Sequence, residues 1–332
     1  MIFVAGLLVL LAAVGWVRYQ LRPVGPGPSQ LVRVSRGTEA EALAKRLRRA
    51  NLIRHALVFY WYARWRGDAG RIRAGRYRLS PTMTPAEILD KLVFGKQDLE
   101  GLVTIPEGFT SARIADRLQR QGVVADKAAF LDVVRNPSGR VQAPFPLARS
   151  GLEGYLFPSS YDFEPKTAPD RVAQVMVDEF VRQFAEPYAD EIAKSPHSLH
   201  ELVTIASMIE REAAVDRDRP LIAGVIENRL KKGMRLQIDA TVIYALGHHV
   251  SRVLYKHLRT PSPYNTYLHA GLPPGPIANP GLPSLLAALR PARHDFLFYV
   301  AGPDGAHIFT RTIREHNKAV ARMRALRNAK GS

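Results

Sequence analysis

Two segments of this chain, 71 residues apart, follow one plan. VRVSRGTEAEALAKRLRRANLIRHALVF begins at Val32, and VTIPEGFTSARIADRLQRQGVVADKAAF begins at Val103. Aligned without gaps, Val32 meets Val103, Gly37 meets Gly108, Ala44 meets Ala115, Arg46 meets Arg117, Leu47 meets Leu118 and Phe59 meets Phe130. Each copy opens with the two-residue alternation of a strand and turns at its glycine. Helical spacing follows from about Thr38 or Thr110. Between the copies, GRYRLSP alternates as a strand and TPAEILDKLVFG reads as a helix. Thr84 is its N-cap, Pro85 takes the first position, Glu87 completes a capping box and Gly95 stops it. The expectation is a small α+β region of strand–helix units over 31–134, serving either as a spacer or as a carbohydrate-binding module.

The opening stretch MIFVAGLLVLLAAVGWV carries no charge and is closed by Arg18 and Arg22. It is at the short end for a membrane span. Trp16 and Tyr19 stand where interfacial anchors stand, which favours a retained transmembrane helix over 1–19 rather than a cleaved signal peptide. RPVGPGPSQ then reads as a stiff linker within 20–30. No basic residue precedes the span, so the positive-inside rule argues for a cytoplasmic body, although long domains cross largely regardless of charge. An upstream start carrying basic residues would reconcile the two.

The chain has no cysteine, which excludes disulfides and cysteine metal sites. Its formal net charge is +17. A solvated arginine-rich surface explains that as well as a polyanionic partner does: nucleic acid, anionic lipid or anionic wall polymer. No zinc-finger, RNP or helix-turn-helix signature stands out, and the leading apolar span argues against nucleic acid.

RNPSGRVQAPFP, residues 135–146, looks like a boundary, with a second body over 145–330. Residues 170–186 read as a helix, and Ser198 with Glu201 forms a capping box that opens another. That helix carries IASMIEREAA, with Glu210 and Glu212 two apart. Wound at 100° per residue, Leu202, Ile205, Met208 and Ile209 form one stripe that Glu212 joins and Glu210 does not. Counting Val203 and Ala206 widens the apolar face towards Glu210 and narrows the contrast. A glutamate at the edge of such a stripe is commonly a surface residue with a packed stem. If buried, its carboxyl is pushed up and keeps a proton for general-acid work on a glycosidic bond. Further on, Pro220 opens a helix that runs to Gly233, and FLFYVA at 296–301 is strand-like.

LVTIASMIEREAAVDRDRPLIAGVIENRLKKGMRLQIDATVIYAL resembles the core of the MltG (YceG-like) endolytic murein transglycosylases. So do LEGYLFPSSYDF (152–163), SPYNTYLHAGLPPGPIANPG (262–281) and HIFTRTIREHN (307–317). The resemblance covers nearly the whole chain, in order. It implies an α+β protein with an N-terminal transmembrane helix, a LysM-like region and a mixed α+β catalytic domain. It further implies a lytic transglycosylase, a carbon–oxygen lyase that cuts peptidoglycan glycan strands internally. The bond lies between N-acetylmuramic acid and N-acetylglucosamine, and the new end is 1,6-anhydro-muramic acid. The enzyme would act on nascent strands and end their elongation, single-pass in the cell (inner) membrane with its catalytic domain outside, beside peptidoglycan synthases. No cofactor, metal or nucleic acid is implied. A PLP-dependent aminodeoxychorismate lyase, a label also attached to the family, lacks here the lysine and phosphate cradle it needs.

The family's acid is the second glutamate of an E-x-E-[TA] pattern, which is Glu212 here. Sugar hydrolases usually need two carboxylates. A lytic enzyme reuses one, first as acid to the leaving oxygen and then as base to the muramic 6-hydroxyl. The resemblance also brings Tyr155, Phe157 and Tyr161 near a sugar cleft, with core packing as the alternative. Glu153 is either a second cleft carboxylate or an exposed loop acid. Gln237 and Asp239 are candidates for holding substrate or shaping the loop. Tyr264, Asn265 and Thr266 are expected in the cleft wall, Asn265 touching substrate or Glu212. His307, His316 and Asn317 invite a metal reading, but His316 has no zinc partner at helical spacing and the resemblance implies no metal. Ser159 stands where many relatives carry an acid, and ERE replaces a lysine-bearing EKE; neither removes an assigned role.

Overall fold

The computed structural model describes residues 2–35, 37–95, 102–147, 151–248, 250 and 253–330. The chain forms two units, Met1–Gly101 and Leu102–Ser332. In the first, β1 (Gln30–Val34) buries Val32 and Val34 and pairs antiparallel with β2 (Gly75–Leu79), which buries Tyr77 and Leu79. Partners across the ladder include Val32 with Tyr77 and Arg33 with Arg76, so one face is apolar and the other basic. Two helices lie between the strands in sequence, α2 (Ala40–Arg49) and α3 (Ala56–Trp65), and α4 (Pro85–Val93) follows. The predicted capping box of Thr84 and Glu87 is present on α4. Ahead of the strands, α1 (Ile2–Gln20) covers most of the expected anchor. Side chains at 2–5 and 7–10 lie outside the described set. Among the described residues no helix is long and apolar enough to cross a membrane, so the expected span is not borne out here.

The second copy of the repeat repeats the order of the first. β3 (Val103–Thr104), α5 (Ser111–Arg120), α6 (Lys127–Arg135) and β4 (Ser160–Tyr161) again run strand, helix, helix, strand, with Val103 opposite Tyr161. Val32 and Val103, Ala44 and Ala115, Leu47 and Leu118, and Phe59 and Phe130 are all buried. Gly37 and Gly108 turn at φ of 74° and 71°, a left-handed conformation that glycine adopts without strain. The copies do not share one region, however. The second belongs to the larger unit, whose division falls at 101 rather than at the expected 135–146. Within 135–146, Gln142 and Gln174 exchange two hydrogen bonds of 2.8 Å and Arg140 pairs with Asp132 and Asp170. That segment is fastened to the domain it was expected to separate.

The larger unit continues with α7 (Pro169–Phe180), a π-helical turn at Val181–Ala185, α8 (Ala189–Lys194), α9 (Leu199–Glu212), α10 (Arg219–Lys231), α11 (Asp239–Leu246) and α12 (Leu282–Leu289). A hairpin of β5 (Phe298–Ala301) and β6 (His307–Thr310) leads into α13 (Ile313–Lys330). Helix α9 is the centre: α10, α11 and α12 pack on it, and every residue from Leu202 to Ile209 is buried. It is buried all round rather than along one stripe. Thr204 and Ser207 survive there because each hydroxyl donates to a backbone carbonyl of the preceding turn, His200 and Thr204 respectively.

Candidate active site

Helix α9 starts at the Ser198–Glu201 capping box and ends at Glu212, so both glutamates of the ERE stretch leave the core in its last turn. Their surroundings differ. Glu210 is only 7% exposed and its Oε2 accepts from Arg219 (3.3 Å), the Gly281 N–H (3.1 Å) and Ser284 Oγ (2.9 Å). Arg219 in turn holds Ser284 and, through Nε, Asp216. Glu210 is thus a buried, paired acid that ties α9 to the starts of α10 and α12.

Among the described residues, no cationic side chain bonds Glu212. Tyr299 on β5 donates its hydroxyl to Oε2 at 3.2 Å. Burial pushes the Glu212 carboxyl above the ordinary range. The Tyr299 bond opposes that rise, the neighbouring Asp239 carboxylate adds to it, and His307 and the Ala240 N–H oppose it. Ala240 belongs to the first turn of α11, where backbone N–H groups lack helical partners and favour a negative charge. The arrangement leaves a carboxyl that holds its proton more tightly than a solvent-exposed one, yet has donors ready for the anion.

The groups behind Glu212 are fixed in turn. The His307 N–H donates to Asp218 Oδ2 at 2.6 Å, and Nδ1 lies 2.9 Å from the same oxygen. The His307 ring meets the Tyr299 ring edge-on, centroids 5.1 Å apart. Arg229 anchors the hairpin to α10, donating to Leu297 O (2.7 Å) and Leu236 O (2.6 Å) while it stands over the Phe298 ring. The sequence alone gives no part to Tyr299 or Asp218, offers Arg229 only as one polar residue of the NRLKKGMRLQIDATVIY segment, and suggests His307 only as a metal ligand. The strand alternation of FLFYVA and the HIFT segment marked the hairpin, but not which helix end it meets.

Residues 32–322 match the YceG-like family. The chain belongs to that family. It is 38% identical, across 90% of its length and 86% of the relative's, to the endolytic murein transglycosylase of Bacillus subtilis strain 168. It is 31% identical, across 95% of its length, to that of Streptococcus pneumoniae serotype 2 strain D39, of which it spans 63%. A crystal structure of a putative yceG-like protein from Listeria monocytogenes superposes with a TM-score of 0.60 at 35% identity, covering 89% of this chain and all of that one.

The other candidate residues of this YceG-like chain fall into two groups. Asp239 and Gln237 are exposed at the entry to α11, and the Asp239 carboxylate is near enough to Glu212 to raise its carboxyl. Asp239 accepts from the Tyr267 hydroxyl at 2.6 Å. Gln237 sits at φ 51°, a left-handed conformation that costs a non-glycine residue, with its N–H on Thr266 O at 3.1 Å. Thr266 is buried, and its Oγ1 accepts from the Ile238 N–H at 3.0 Å and meets Thr241 Oγ1 at 2.9 Å, so it shapes this loop from beneath.

The remaining expectations are corrected. Asn265 is fully buried; its amide donates to Leu258 O and Thr260 O and its oxygen accepts from the Tyr267 N–H, which leaves nothing for substrate. Tyr155 is core: its ring packs on Phe145 and Phe180 and its hydroxyl meets His200 Nδ1 at 3.0 Å. Phe157 and Tyr161 are buried as well. Glu153 is not an exposed loop acid. It is buried, accepting from the Ser111 N–H at the start of α5 (3.0 and 3.1 Å), Asn279 Nδ2 (2.8 Å) and the Tyr244 hydroxyl (3.4 Å). Burial lifts its carboxyl to about 7 against the pull of those donors. The Tyr264 ring packs at a tilt of 52° against Tyr244, centroids 4.9 Å apart, and the same Tyr244 reaches Glu153.

Proposed function

We propose that this protein is an endolytic lytic transglycosylase of peptidoglycan, with Glu212 as its single catalytic acid and base. The observation that carries the reading is a half-buried, proton-retaining carboxyl at the end of α9, bonded by one side-chain hydroxyl and, among the described residues, by no cation. The names of the bacillary and streptococcal relatives support the substrate class. Protonated Glu212 gives its proton to the glycosidic oxygen as the muramic C1–O bond breaks, and N-acetylglucosamine leaves with that proton. The Glu212 carboxylate then removes the proton of the muramic 6-hydroxyl as O6 bonds C1, leaving a 1,6-anhydro end and regenerating the acid. No water is consumed. Tyr299 aims the carboxyl in both states, since its hydroxyl donates to the anion and accepts from the acid. Asp239 and Gln237, at the exposed rim, are the residues assigned to substrate, with Tyr264 and Thr266 supporting the wall.

The finer reading places the enzyme in the cell (inner) membrane, single-pass, with the larger unit outside. The uncharged opening stretch supports this, as do the exposed Leu11, Val14, Trp16 and Tyr19 on α1. The strand–helix–helix–strand unit ahead of the catalytic unit is assigned a LysM-like glycan-holding role, and nascent strands beside peptidoglycan synthases are its setting. To test the chemistry, wild type and Glu212→Gln are incubated with uncrosslinked glycan strands and the new ends read by mass spectrometry. Anhydro-muramic ends from wild type alone are expected. Reducing ends, or equal cutting by Glu212→Gln, would overturn the assignment.

A further inference from the structure

The chain has 3 tryptophans, and all of them, Trp16, Trp61 and Trp65, line one groove of the N-terminal unit. Helix α3 is apolar on two sides. Phe59 and Ala63 face the core, whereas Leu57, Trp61 and Trp65, spaced four apart, are 50%, 61% and 82% exposed. Trp16, Val17 and Leu21 from the end of α1 form the opposite wall of this groove of about 620 Å³. The corner is built rather than accidental. The Trp16 ring meets His55 edge-on at 5.4 Å. Arg54 stands 4.7 Å over the Tyr19 ring, reaches its hydroxyl at 3.1 Å and holds Pro23 O and Val24 O. The last turn of α1 and the first of α3 are thereby joined.

A contiguous exposed apolar face of this kind marks an interaction site. Two occupants suit tryptophans, a sugar ring and a lipid interface. Sugar recognition needs amides and hydroxyls around the aromatic platform. Here the lining's polar atoms are the indole N–H groups, the Tyr62 hydroxyl and the His55 ring, with no side-chain amide or carboxylate among them, and His55 Nδ1 already accepts from the Val58 N–H. The rim is basic instead: Arg18, Arg22 and Arg64 are exposed, and Arg64 stands over the Trp61 ring at 5.6 Å. Tryptophan at the headgroup level with arginine beside it is the composition of a membrane-interface surface, and arginine adds attraction to anionic lipid.

We propose that the outer face of α3 is a second membrane-contact surface, lying in the headgroup–acyl boundary of an anionic phospholipid bilayer beside the exit of α1. The proposal rests on the anchoring reading above, and the two can fail separately. The full chain is reconstituted into phosphatidylcholine–phosphatidylglycerol vesicles whose acyl chains carry bromine near the headgroup end, and tryptophan emission is read. Trp16→Phe leaves only Trp61 and Trp65; the Trp61→Phe, Trp65→Phe double variant leaves only Trp16. Both variants are expected to be blue-shifted and quenched by the brominated lipid. Quenching of Trp16 alone would overturn the proposal and leave the anchor standing. Quenching of neither would overturn both. A response of Trp61 and Trp65 to soluble glycan oligosaccharides, without quenching by lipid, would make the face a sugar platform and overturn the lipid assignment.

Discussion

Glu153 is buried and Glu212 half-buried in the larger unit, and desolvation pushes both carboxyls upward. They differ in what remains free. Glu153 receives donors from α5, α11 and the loop at Asn279, and so braces three segments. Glu212 receives one side-chain hydroxyl, from a hairpin strand, and lies near the exposed Asp239. Burial alone therefore does not mark a catalytic acid. A desolvated carboxyl that stays partly open, with bonding capacity left over at the edge of a polar rim, does. Glu210, two residues away, makes the same point from the other side, since its Oε2 is committed to Arg219, Gly281 and Ser284.

Four substitutions sharpen that contrast. The largest effect is expected at Glu212→Gln, which removes the acid and should lower kcat about a thousandfold while leaving thermal stability unchanged or raised. Glycan cleavage assays beside a melting curve check it. Next, Glu210→Ala leaves Arg219, 11% exposed, without its buried partner and should cost about 3 kcal/mol in a denaturant titration. If it spared stability and abolished turnover, the roles of the two glutamates would have to be exchanged.

Glu153→Gln tests the brace. The Glu153 carboxyl moves from an ordinary 4.5 to about 7 on folding. Between those values the folded state keeps a proton that the unfolded chain has released. Its contribution to stability therefore falls as pH rises through that window and stays low above it. Wild type should lose more stability than Glu153→Gln between about pH 5 and about pH 8, with no loss of specific activity in the variant. The smallest effect is expected at Tyr299→Phe, a loss of about fivefold in kcat. The Tyr299 bond holds the Glu212 carboxyl down, so its removal raises that carboxyl further. The falling alkaline limb of the pH–rate profile should move to higher pH, and movement the other way would break the assignment.

The elements were largely legible in the sequence because capping boxes, proline at helix starts and period-two strands are local signals. Thr84 with Glu87 and Ser198 with Glu201 both cap as expected. The repeat was legible too, since Leu47 and Leu118 fill the same place in two separate cores. What a local pattern lacks is the identity of the partner. β3 pairs with Ser160–Tyr161, a strand of only two residues, and this draws the second copy into the larger unit. At the site, the apolar stripe of α9 pointed to Glu212, but Tyr299 arrives from 87 residues away and Asp218 reaches His307 from 89 residues away. The family resemblance points Asn265 at substrate or Glu212, whereas the loop's carbonyls at Leu258 and Thr260 occupy its amide.

The central claim is that one carboxyl performs both proton transfers and that water takes no part. Digesting glycan strands with wild-type protein in ¹⁸O-labelled water tests it most directly. The account predicts anhydro-muramic ends free of label. Reducing ends carrying ¹⁸O would contradict it, and would make a second carboxylate, such as the neighbouring Asp239, part of the chemistry.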